Sequence, residues 1–233
     1  MLKGALWMKK PLTLLAFVIT LCLFLPALAI TAQEAETAAR AYVPDDAVMT
    51  KLELDDGVYE VAFSKEAAAY DVDVDSSTGA VRKVDGEYKQ ARGSRSRTLA
   101  DAEIPAIVAA SVPDAEVLAI QETTDGGLYE IEVAFRTPAA YGTLSLNAET
   151  GDMLEFEMYV GELPPLSVEN GQAAREALES LKPGAVINQI MLDEDDGRLC
   201  WEGYAQWQDA RYEFELDAAS GQLTEWKPSS FKK

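Results

Sequence analysis

The chain has 233 residues, 40 acidic and 20 basic, giving a net charge of −20; so acidic a surface repels nucleic acid and anionic lipid headgroups. It contains no histidine, which removes the Ser-His-Asp triad, the Cys-His pair and the commonest zinc ligand. A hydrophobic fraction of 48% is enough for packed cores, and two cysteines, Cys22 and Cys200, are too few for a disulfide scaffold.

The first element in chain order is an export segment. Lys3, Lys9 and Lys10 precede the apolar run PLTLLAFVITLCLFL, and PALA at 26–29 offers Ala27 and Ala29 as small residues at a cleavage site. A positive start, an apolar centre and an A-x-A end are the three parts of a secretory signal. The run is also nearly long enough to span a bilayer, so residues 1–29 read as a signal peptide or a membrane anchor. Either way the remainder is expected on the outer side of the membrane, secreted or anchored to it. Leucines flank Cys22, which is not the setting of a lipidated cysteine.

Three similar segments follow. Tyr42 to Phe63, Ser111 to Val133 and Leu181 to Gly203 align, with Pro44, Pro113 and Pro183 in register and Gly57, Gly127 and Gly197 in register. Gly79, Gly151 and Gly221 also correspond, and three landmarks at a period near 70 residues are the mark of an internal repeat. A helical pattern precedes each proline: AETAARAY at 35–42, ADAEIPAIVAAS at 100–111 and GQAAREALESL at 171–181. Pro105 fits if the second helix begins near Glu103. The third can be capped by Ser167 or Asn170, with Ala174, Leu178 and Leu181 on one face.

Strands come next in each copy. Met49, Leu52 and Leu54 suggest a first strand, and Tyr59, Val61 and Phe63 the inward side of a second. Tyr129, Ile131 and Val133 repeat that pattern; in the third copy Leu199 and Trp201 point inward and Cys200 outward. The third strands are YDVDVDSSTG, GTLSLNAETG and YEFELDAASG. Asp75, Asn147 and Asp217 each stand four residues before a glycine, Gly79, Gly151 or Gly221. An Asp or Asn there accepts turn amides and the glycine supplies a positive φ, so these six residues are predicted to build a bulged hairpin turn. A fourth strand follows in each: AVRKV, DMLEF and QLTEW.

The predicted fold class is therefore α+β, with three tandem units, each one helix packed on a four-stranded antiparallel meander. The expected divisions are 33–88 for the first unit, 89–97 for a basic linker, 98–162 for the second unit and 167–228 for the third. The linker belongs to the stretch 82–97, which carries six basic residues and reads as solvated.

Helix, proline turn, D-G-x-Y-E-V strand and an alternating strand ending in [DN]-x-x-[TS]-G resemble the PepSY domain. Asp56 to Val61 with Asp75 to Gly79 carry the resemblance, and it recurs at 126–131 with 147–151 and at 196–201 with 217–221. The third copy departs from it, having Leu199-Cys200 in place of Tyr-Glu. The resemblance implies an extracytoplasmic module without catalytic residues of its own. Such domains occur in propeptides of secreted metallopeptidases and in envelope proteins that support a cortex-lytic enzyme. The implied function is to bind, and to inhibit or chaperone, a peptidase or cell-wall hydrolase; the other reading is a structural or sensory envelope module without a peptidase partner.

Two chemical readings compete with this one. Asp71, Asp73 and Asp75 begin like a calcium loop, but Ser76 and Arg82 occupy the positions where an EF-hand needs a glycine and a bidentate acid. Asp55-Asp56 and Asp193 to Asp196 could form a glycosidase pair, yet they recur at a hairpin position that turn chemistry explains. No enzyme activity, metal or cofactor is expected. Trp207, in the loop-like stretch AQWQDA, is the candidate interface anchor.

Overall fold

The computed structural model describes residues 29–229 apart from 90, 162 and 196; the export segment, but for Ala29, lies outside them. The fold is α+β, with antiparallel sheets and few helices.

The first helix, α1, spans Ala32–Ala39 and runs into a 3-10 turn at Arg40–Tyr42. Thr31 and Glu34 form a capping box: the Thr31 hydroxyl accepts the Glu34 amide and the Glu34 carboxylate accepts the Thr31 amide. Strands β1 (Val48–Asp55), β2 (Val58–Lys65), β3 (Ala68–Asp75) and β4 (Val81–Tyr88) follow as a meander. Next come α2 (Ile104–Ser111) and strands β5 (Glu116–Asp125), β6 (Leu128–Arg136), β7 (Ala140–Asn147) and β8 (Met153–Val160). Pro105 sits in the first turn of α2, where its missing N–H has no intrahelical partner to lose. The last stretch is α3 (Gly171–Leu181) with β9 (Val186–Asp195), β10 (Arg198–Trp207), β11 (Ala210–Asp217) and β12 (Leu223–Pro228). Asn170 caps α3, its side-chain oxygen accepting the Ala173 amide at 2.9 Å.

The sheets are not three. The first eight strands form one sheet in the order β1-β2-β3-β4-β8-β7-β6-β5, and the last four a second in the order β12-β11-β10-β9. The join is β4 against β8, antiparallel, from Lys83 opposite Tyr159 to Glu87 opposite Glu155. Gly86 makes it possible: a Cβ there would lie 2.1 Å from the Phe156 ring. Phe156 and Met158 instead pack against both the core under α1 and the core under α2.

Both helices of this block lie over one face. Val61, Phe63, Val72 and Val84 are buried with Ala35 and Ala39 of α1; Ile131, Val133, Leu144 and Leu146 are buried with Ile104 and Val108 of α2. The third core gathers Leu178, Ile190, Trp201 and Leu216, and takes in Leu118, Ala119 and Ala134 from β5 and β6. Strand β9 is thus covered on both sides; Met191 is buried as well as Ile190 and Leu192. Gln121 of β5 accepts the Ile190 amide across this contact at 3.3 Å.

Two apolar positions depart from the sequence pattern. Leu54 is 57% exposed on the edge strand β1, and Leu181 is 49% exposed at the last residue of α3. Each continues a periodicity past the point where a neighbouring element stands over it.

Candidate functional site

Three places hold the side chains that sequence reasoning singled out: the turns after β3, β7 and β11, the open face of the large sheet, and the aromatic end of the small sheet.

The turns share one construction. Asp75 Oδ1 accepts the Ser77 and Thr78 amides at 2.9 and 2.8 Å and both hydroxyls at 2.6 and 2.9 Å, while Oδ2 pairs with Arg82. Asn147 Oδ1 accepts the Glu149 and Thr150 amides, each at 2.9 Å. Asp217 Oδ1 accepts the Ser220 amide at 2.7 Å and hydroxyl at 2.5 Å. Gly79, Gly151 and Gly221 have φ of 76°, 76° and 72°, a region open to glycine at no steric cost. The ladder slips by one residue beside each turn, at Asp73/Val74, Ser145/Leu146 and Glu215/Leu216.

Each turn also holds the chain entering the helix. The Ile30 amide donates to Ser76 O at 2.7 Å, the Thr98 and Leu99 amides to Ala148 O, and the Ser167 and Val168 amides to Ala218 O. The sequence marked the turn residues but not this clamp, whose only local trace is an apolar residue just ahead of each helix. A Cβ on Gly151 would lie 2.8 Å from Ile107, and one on Gly79 a milder 3.4 Å from Ile30. Both Gly→Ala changes are expected to cost about 1–2 kcal/mol from the positive φ alone. Gly151→Ala should cost more than Gly79→Ala in urea denaturation because it also displaces Ile107 from α2; equal losses would count against the clamp.

The three aspartates of β3 have separate surroundings. Asp75 is buried and turned into its hairpin, whereas Asp71 and Asp73 lie on the sheet face opposite the helices. On that face Asp71 stands opposite Asp85, Asp85 opposite Glu157, and Glu87 opposite Glu155. Lys83 bonds Glu157 at 2.7 Å and lies 3.4 Å from Asp85. Tyr159 donates to Glu157 at 2.6 Å and stacks on Tyr141 at 5.4 Å.

Burial, reinforced by neighbouring carboxylates, raises Asp73, Asp85, Glu132 and Glu155 above the usual carboxylate range. Hydrogen bonds from Ser77 and Thr78 hold Asp75 far below it, and those from Ser220 lower Asp217. The two sets act oppositely on stability. A raised group prefers its proton in the folded state, so stability grows as pH falls through its folded pKa towards its unfolded one. A lowered group contributes fully above about pH 4 and that part is lost as pH falls through its folded pKa. The melting temperature is therefore expected to hold or rise from pH 7 to about 5 and to fall below about 4. The double variant Asp85→Asn/Glu155→Gln should flatten the upper limb, as followed by circular dichroism.

Trp207 is the last residue of β10, not a loop residue. It is half-buried against the third core, donates from Nε1 to Pro183 O at 3.2 Å, and meets Tyr212 and Trp226 edge-on at 5.9 and 6.0 Å. Lys182 lies over both tryptophans. Cys200, placed outward by alternation, is 2% exposed. Its thiol donates to Glu215 at 3.1 Å, and burial with that carboxylate pushes it up to about 12, away from the reactive thiolate.

The basic stretch is not a free tether. Arg82 and Lys83 belong to β4. Ser94 is buried and exchanges two backbone hydrogen bonds with Tyr129, at 2.9 and 2.6 Å, and Asn147 Nδ2 donates to Arg92 O at 2.7 Å. Residues 91–97 thus strap across the start of β6.

Two segments, residues 29–85 and 171–227, match the family model described as the peptidase propeptide and YPEB domain, PepSY. No curated protein matches the chain. One similar solved structure is a putative lipoprotein from Clostridium difficile 630, at 14% identity and a TM-score of 0.35, covering 57% of this chain and 95% of that one. Another is the Bacillus megaterium YpeB C-terminal domain, at 11% identity and a TM-score of 0.38, covering 87% and 99%. Among the described residues no helix is long and apolar enough to cross a membrane.

Proposed function

We propose, from the premise that residues 29–85 and 171–227 are PepSY domains, that the chain is an exported binding protein for an extracytoplasmic peptidase or cell-wall hydrolase, which it inhibits or chaperones. The family match at two separate segments carries this reading, since the family takes its description from peptidase propeptides. Residues 98–162 form a third unit of the same kind in this reading, between units at 33–88 and 167–228. The support is the shared turn: Asn147 and Gly151 make the hydrogen bonds and the positive φ that Asp75 and Gly79 make, and the turn clamps the entry to α2 in the same way.

The protein acts by surface complementarity, without chemistry of its own. Among the acids and tryptophans picked out in the sequence, Asp75 and Asp217 hold turns, and Trp201 and Trp207 pack the third core. Cross-linking in intact cells followed by capture of the full chain from the envelope fraction tests the reading. Recovery of a peptidase or cell-wall hydrolase is the expected result; its reproducible absence would overturn it.

A further inference from the structure

We propose that the open face of the eight-stranded sheet docks an extended, lysine- or arginine-rich segment of a partner protein. This rests on the binding role above only for the existence of a partner.

The register carries the inference. Side chains directly opposite on neighbouring strands lie close, and like charges there repel. Here Asp71, Asp85 and Glu157 form one continuous row over β3, β4 and β8. The next row brings Glu87, Glu155 and Glu132 into line, with Ser145 between the last two. Lys83 serves Asp85 and Glu157, but Asp71, Glu87, Glu132 and Glu155 make no ion pair among the described residues. The folded chain therefore holds opposed carboxylates with too few cations of its own.

The shape and surroundings fit a chain rather than a flat contact. A concavity of about 410 Å³ lies over this seam, between Asp71 and Asp85 on one side and Glu132 and Glu155 on the other. Beyond it the small sheet stands over the Tyr141 and Tyr159 end of the face, bringing Leu192 and Asp193 against them. The charges of Asp193 and Glu202 bear on Glu132 from that side, so the wall repeats the sign of the floor.

A basic segment of the protein lies at the margin: residues 91–95 carry Arg92 and Arg95 and pair through Ser94 with Tyr129, next to Glu130, while the Arg92 guanidinium donates to the Lys89 and Ala91 carbonyls. Gly93 passes so close that a Cβ there would lie 2.8 Å from Glu130 Cγ. An external basic segment would set its cations against the carboxylates of the concavity that have no ion pair of their own. A second copy of the chain does not qualify, since its charge is −20 as well.

The test uses the full chain and a fluorescein-labelled decalysine peptide, read by fluorescence anisotropy at about 150 mM salt. Wild type is expected to bind decalysine and not decaglutamate. The row variant Asp71→Asn/Asp85→Asn/Glu157→Gln should weaken binding by about tenfold or more. The control Glu66→Gln/Glu149→Gln/Glu179→Gln, equal in charge change but at exposed positions off this face, should stay within about twofold. Asp71→Asn alone, at an exposed residue, should already give a measurable loss. Equal weakening by both triple variants, or no binding by wild type, would overturn the proposal. So would envelope capture in which the row variant still recovers the same hydrolase in full, a result that leaves the binding role standing and removes this surface from it.

Discussion

Trp201→Ala is expected to lower the stability of the small sheet and its helix α3 by about 3–5 kcal/mol, the range for emptying a buried aromatic site. Trp201 is fully buried at the centre of β10, among Leu178, Ile190 and Leu216. The Nε1 hydrogen bonds to Val168 O at 2.9 Å. Val168 is also the residue whose amide docks on the Ala218 carbonyl at the clamp. Truncation thus leaves a cavity, strands a buried carbonyl and loosens the entry to α3 together. Trp201→Phe should recover much of the packing but not the carbonyl's partner, so it should fall between wild type and alanine.

The third core also takes in Leu118, Ala119 and Ala134 of the large sheet. A loss in the small sheet should therefore be felt as lower protection at β5 and β6 in hydrogen exchange, with β2 and β3 unchanged. Protection lost evenly over all twelve strands would mean that the two sheets unfold as one body; loss confined to β9–β12 would mean that the shared residues do not couple them.

Much of this arrangement is written locally in the chain. The turns are legible because an Asp or Asn accepting amides and a glycine at positive φ are needed within five residues of one another, and the requirement recurs. The helices are legible where a cap precedes an apolar spacing, as Asn170 does for α3. The fused sheet is not. The β4 strand VRKVDGEY begins with the VRKV of AVRKV, which reads as the last strand of its own unit, and runs on into a basic, glycine-containing stretch that reads as solvated, so nothing in it announces a further strand beside it. The partner that explains Gly86, the Phe156 ring, lies seventy residues away on β8. The burial of Cys200 and Met191 is illegible for a related reason: alternation assigns a residue to a face, but not what that face meets. For the candidate surface, Asp71 and Asp73 could be placed on the open side from β3 alone. Only the pairing of β4 with β8 sets Asp71 in line with Glu157, and Asp73 in line with Lys83 and Tyr159.

Gly142→Ala is expected to be the most damaging small change in the large sheet, costing about 3 kcal/mol, the upper end for forcing atoms into a filled site. Gly142 pairs with Phe135 on one side and Met158 on the other. A Cβ there would lie 2.0 Å from the Glu157 carbonyl oxygen and 2.9 Å from Met158 Cα. Those are backbone atoms, so no side-chain rotation relieves the contact; β8 has to move off β7. At Gly86 the obstacle is the Phe156 ring, which a second substitution can remove. Gly86→Ala should therefore be partly rescued by Phe156→Leu, whereas Gly142→Ala should gain nothing from Met158→Ala. Because β8 carries Glu155 and Glu157, moving it also breaks the carboxylate rows. Gly142→Ala should then weaken decalysine binding without removing a single charge, and binding retained at full strength alongside a lowered melting temperature would separate the face from the register that is argued to build it.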